Sequence, residues 1–98
     1  MDIYDTWKVY KDKMEEYLIK FNQANKEGDF PAMTAAKDGC KKVYLKFLDL
    51  LKLEHESTKD AFKESLDDFL SEIKKMSEYI KNNEGKKILN VEPKDEKK

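Results

Sequence analysis

Leu53-Glu54-His55-Glu56-Ser57-Thr58-Lys59-Asp60 contains neither glycine nor proline, and whether it bends decides the fold. Amphipathic stretches lie on both sides of it. Upstream, Met33, Ala36, Cys40, Val43, Phe47 and Leu50 recur at alternating intervals of three and four; downstream, Phe62, Leu66, Phe69, Ile73, Met76 and Ile80 do the same. This spacing gathers side chains on one face of an α-helix, which returns to the same side about every 3.6 residues. If the octapeptide is helical, residues 31–83 form one rod about 75–80 Å long. From Phe47 to Leu66 such a rod would rotate by about 100° beyond whole turns and carry two misaligned apolar stripes. The misalignment favours a turn, with Ser57 or Thr58 capping the next helix and Asp60 in its first turn.

A third stripe precedes these two: Ile3, Trp7, Tyr10, Met14, Tyr17, Phe21 and Ala24. Asp2 and Asp5 suit its start, because a carboxylate can accept from the free amides of a first turn and complements the helix dipole. Lys26 and then Gly28 suit its end, glycine being the residue that most easily takes the left-handed C-cap conformation. In Phe30-Pro31 the proline disfavours helical geometry at Phe30 and fits a first helical position, so the second helix is expected to open at Pro31.

The expected fold is therefore all-α, an antiparallel up-down-up three-helix bundle with helices at about 2–27, 31–54 and 58–83. The alternative is a long helical hairpin in which the second and third helices are continuous and the chain dimerises. Asn82-Asn83-Glu84-Gly85 reads as a stop, giving one domain over 1–85 and a flexible polar tail over 86–98 that ends in Glu92-Pro93-Lys94-Asp95-Glu96-Lys97-Lys98. Folding the chain at both turns stacks the stripes in layers: Trp7/Leu50/Phe62, Tyr10/Phe47/Leu66, Met14/Val43/Phe69, Tyr17/Cys40/Ile73, Phe21/Ala36/Met76 and Ala24/Met33/Ile80. Gly39 sits inside the second helix at a cost of about 1 kcal/mol relative to alanine. With Ala35, Ala36 and Cys40 it forms a small-residue patch that reads as the close approach of a neighbouring helix.

Charge narrows the classes of partner. Twenty cations against 21 anions leave a net charge of −1, so no whole-molecule field draws the chain to nucleic acid or an anionic membrane. Every cation is lysine, and without the planar guanidinium fork sequence-specific reading of bases is disfavoured. No run approaches the roughly 20 apolar residues of a membrane span, and Met1-Asp2-Ile3-Tyr4-Asp5 is acidic where a secretory signal is basic; a cytoplasmic location is expected. The single Cys40 cannot form an internal disulfide, in keeping with a reducing compartment.

Candidates for chemistry are few. His55 is the only histidine and lacks the partners of an HExxH or ExxH metal motif. Cys40 falls on the apolar stripe, where a thiol acts as a small hydrophobe. The carboxylates fall mostly off the stripes, and Gly28, Gly39 and Gly85 are too scattered to cradle a phosphate. No enzyme, catalytic residue, cofactor or metal is expected.

The second helix carries the excess that a bundle core alone does not require. Tyr44, Leu45, Leu48, Leu51 and Leu53 are apolar and lie off the stripe, so residues 43–53 are greasy nearly all round. They serve either as flank packing against the neighbouring helices or as a surface for another chain. The expectation is an interaction or adaptor module that binds a protein partner or itself through this face, alone or as a homodimer. A second reading is a nucleic-acid accessory protein using Lys37, Lys41, Lys42 and Lys46, and a third is an amphipathic protein whose helices open to coat an interface. The chain resembles small helical secretion substrates in size, yet reads Gly28-Asp29-Phe30 where their turn has Trp-x-Gly, so that resemblance implies no site residues.

Overall fold

A computed structural model describes the backbone of residues 2–91 and the side chains of residues 2–83. It contains three helices: α1 (Ile3–Glu27), α2 (Phe30–Leu51) and α3 (Glu56–Val91). They run up, down and up, with α2 packed against both α1 and α3. The three-helix bundle is therefore the architecture of this chain, and the continuous rod is not formed.

The ends of α1 follow local chemistry. The Asp5 amide donates to Asp2 Oδ1 at 2.9 Å, which satisfies one of the unpaired donors of the first turn. At the other end Gly28 takes φ 68° and its N–H returns to the Ala24 and Asn25 carbonyls. Asp29 then caps α2 through Oδ1, which accepts from the Ala32 amide at 3.1 Å. The helix opens one residue earlier than expected, at Phe30, with Pro31 still in its first turn.

The second connection lies two to three residues earlier than the expected boundaries at 54 and 58, spanning residues 52–55 in place of 55–57. α2 ends at Leu51 rather than 54, and tight backbone bonds from Leu53 to Leu50 (3.3 Å) and from Glu54 to Leu51 (3.0 Å) close the turn. α3 begins at Glu56, where the Lys59 amide donates to the His55 carbonyl at 3.0 Å. Ser57 and Thr58 thus lie inside the helix and do not cap it. An acidic residue at the positive end of a helix is itself favourable, so Glu56 can open α3 without them.

The far end of α3 also differs from expectation: the helix passes the stop anticipated at Gly85 and runs to Val91. One glycine costs a helix about 1 kcal/mol, which weakens it without forbidding it. Residues 92–98, the greater part of the expected tail, lie outside the described residues.

The core has an aromatic end and a smaller-residue end. Phe47 is fully buried, with Trp7 at 4.9 Å, Phe62 at 5.3 Å and Tyr10 at 5.7 Å between ring centroids. Trp7 also meets Phe62 and Phe69 edge-on at 5.6 and 5.9 Å, so side chains tie α1 to α3 where their backbones stay apart. Toward Gly28 the core is built from Met14, Phe21, Ala24, Met33, Ala36, Met76 and Ile80.

The expected layers hold in direction but slip in register along α2. Its buried residues are Met33, Ala36, Cys40, Tyr44, Phe47 and Leu51, so after Cys40 the stripe passes through Tyr44 and Leu51 in place of Val43 and Leu50. Val43 is only partly buried and Leu50 is 38% exposed. A middle helix serves two neighbours, and the α3 side claims Tyr44. On the α1 side, the small-residue patch does what its composition implied. The Tyr17 ring lies against Gly39 so closely that a Cβ there would stand 2.9 Å from Cδ1 and nearer still to two other ring atoms.

Candidate interaction surfaces

The five apolar residues expected to form one docking face on α2 are divided by the fold. Tyr44 and Leu51 are 7% and 5% exposed and belong to the core, and Leu48 is partly buried against it. Tyr44 and Leu48 share the α2–α3 seam with Lys59, Lys63, Leu66 and Asp67. Burial, and secondarily the nearby Asp67 carboxylate, raises the Tyr44 hydroxyl above its ordinary pKa. Tyr44 and Leu48 pack at the α3 seam and Leu51 in the core, so the three are not a free face. Periodicity shows that such residues leave one stripe; it does not show that a second stripe serves an internal neighbour.

Leu45 and Leu53 do reach the surface, at 47% and 87% exposure. Leu45 stands on the outer side of α2. Leu53 stands in the turn at the aromatic end of the bundle, where it shares a shallow depression with Ile3, Thr6, Leu50 and Glu54. Tyr4, 53% exposed, occupies the same end with its ring 5.2 Å from Phe62. An apolar patch thus gathers at one tip of the bundle from the start of α1, the end of α2 and the turn. Ile3 opens the first stripe and does pack against the core, but the patch it shares with Tyr4 and Leu53 leaves no mark in the sequence, because two helix ends and a turn meet only in three dimensions.

The lysine cluster also separates. Lys37 is ion-paired with Asp38 at 2.8 Å and largely shielded. Lys42 and Lys46 instead line a groove between α1 and α2, opposite Lys13 and Lys20. Lys41 is exposed and does not line it.

Groups that could have supplied chemistry sit where chemistry is hard. Cys40 has no exposed surface, its Sγ lies 3.9 Å from the Met14 carbonyl oxygen, and burial, aided by Glu72, pushes its pKa up to about 11. A thiolate is the reactive form of cysteine, and this site suppresses it. His55 is exposed in the turn. Among the described residues no group of three or more His, Cys, Asp or Glu side chains is placed to hold a metal ion, and no helix is long and apolar enough to cross a membrane.

Compared with known proteins, the chain matches no family model, and no curated protein or solved structure matches it significantly.

Proposed function

We propose that this chain is a non-enzymatic protein-interaction module that pairs tip to tip with a second copy of itself. The observation that carries the reading is Leu53: a leucine 87% exposed in a turn, beside Leu50 at 38% and the partly buried Ile3. Contiguous apolar surface at a turn, rimmed by Glu54 and by the ion pair of Asp49 with Lys52, has the make-up of a contact patch with a polar edge. Covering one leucine side chain is worth about 1.5–3 kcal/mol, and a two-fold axis counts each contact twice. A net charge of −1 leaves little repulsion between copies, which supports a like partner.

The test is solution mass as a function of concentration, by light scattering or sedimentation. The expected result is a dimer that dissociates on dilution, and a monomer at all concentrations for Leu53→Asp with its helicity unchanged. A wild-type chain that stays monomeric, or a Leu53→Asp dimer as tight as wild type, overturns the proposal. Leu48→Asp would report on folding and not on docking, because Leu48 packs within the bundle.

A further inference from the structure

The groove between α1 and α2 is a different surface from the apolar tip, and its charge is lopsided. It has a volume of about 490 Å³, and Lys13 and Lys20 of α1 face Lys42 and Lys46 of α2 across a floor that includes Tyr17 and Gly39. Two carboxylates also line it, Glu16 and Asp38. Asp38 is already neutralised, because Lys37 reaches it at 2.8 Å. Among the described residues no ion pair engages any of the four groove lysines; the paired cations are Lys37, Lys52, Lys59 and Lys75. Four ammonium groups therefore confront one uncompensated carboxylate in a chain whose net charge is −1.

Among the described residues none of α3 lines the groove, so the described carboxylates of that helix do not quench it. Asp67, for instance, lies at the other seam of α2 beside Lys63 and Tyr44. The α1 lysines are also partly ordered in advance. Lys20 Nζ lies 5.3 Å from the centre of the Tyr17 ring and Lys13 Nζ lies 6.0 Å from that of Tyr10. A cation held over an aromatic face has less rotamer freedom to lose when a ligand arrives.

The four charges form a row. Tyr17 lies at Gly39, Met14 at Cys40 and Tyr10 at Phe47, so the antiparallel register places Lys46 toward the aromatic end, Lys13 and Lys42 at mid-groove and Lys20 beyond them. At 1.5 Å of rise per residue the row extends over roughly 15 Å. A single phosphate would meet one or two of these amines; a chain of phosphates meets all of them. Lysine binds phosphate as a point charge, without the fixed geometry of arginine, which suits a repeating anion read for charge and not for sequence.

We propose that the α1–α2 groove binds a chain of linked phosphates, either free polyphosphate or the backbone of a single-stranded nucleic acid. The experiment is a titration of the isotope-labelled full chain, followed by amide shifts, with sodium tripolyphosphate in one arm and oligo-dT in the other. Shifts centred on Tyr17, Ala35, Gly39 and Val43 are expected, and the arm that responds at the lower concentration identifies the source. If all four lysines contact a single strand, the logarithm of affinity falls with that of salt with a slope near −3, or roughly fiftyfold between 50 and 200 mM. Lys42→Gln and Lys13→Gln should each weaken binding severalfold, and Lys37→Ala should weaken it too by freeing the Asp38 charge without touching the ligand. Lys75→Gln, on α3, should change nothing. The proposal is overturned if neither probe shifts the groove at low salt, if Lys75→Gln weakens binding as much as Lys42→Gln, or if poly-glutamate of equal charge binds as well as tripolyphosphate. Dimerisation through Leu53 is read separately, and neither result depends on the other.

Discussion

At Gly39 two opposing terms can be separated by experiment. Alanine is about 1 kcal/mol better than glycine inside a helix, but its methyl would occupy space held by the Tyr17 ring. Overpacking a close contact costs about 1–3 kcal/mol, so the clash outweighs the propensity. Gly39→Ala should lower stability by up to about 2 kcal/mol, read as a shift in the urea midpoint at constant slope. In a Tyr17→Ala background the same substitution should raise stability by up to about 1 kcal/mol. A change of the same sign in both backgrounds would show that the ring is not what reserves this position for glycine. The composition of Ala35-Ala36, Gly39-Cys40 disclosed that something comes close; which residue fills the space follows only from the α1–α2 register.

The helix starts show how unevenly local sequence reports on structure. Asp2 and Asp29 precede their helices and accept from amides three residues on; the sequence marked α1 through Asp2 but α2 only through Pro31, one residue late. The start of α3 at Glu56 is not marked in this way, and the candidate caps at Ser57 and Thr58 lie inside the helix. Asp29→Ala should therefore cost about 0.5–1 kcal/mol, toward the lower end of the range for caps because the bond is exposed. His55→Ala should cost almost nothing, since His55 contributes a backbone carbonyl that alanine keeps. Thermal unfolding of the two variants side by side checks the contrast; equal losses would assign His55 a side-chain role. α3 passes Gly85 for a related reason, in that a Gly stop signal records a propensity and neighbouring residues can outvote it.

For the molecule as a whole, three stripes and one identifiable glycine turn were enough to give the bundle and its direction. The docking face was not legible to the same degree. Tyr44 and Leu51 satisfy the pattern of an exposed second stripe and the pattern of an inner one equally well, and only the position of α3 chooses between them. The apolar tip and the lysine groove were invisible for the same cause: each is assembled from segments far apart in sequence, Ile3 with Leu53 and Lys13 with Lys42.

The lone thiol turns this architecture into a clock. Cys40 is sealed beneath α1 and kept protonated, its pKa up at about 11 from an ordinary 9.0, so an alkylating reagent can reach a reactive sulfur only when α1 lifts away. Because the folded state raises this pKa, the stability that the protonated thiol lends is whole below about pH 9 and drains away as pH climbs through about 11. At pH 8 iodoacetamide should label the native chain at least a thousandfold more slowly than the chain in guanidinium, given a typical opening free energy of about 5 kcal/mol or more. Comparable rates would mean that the α1–α2 seam breathes freely. A slow rate would time every separation of those two helices without any probe having to be added to the sequence.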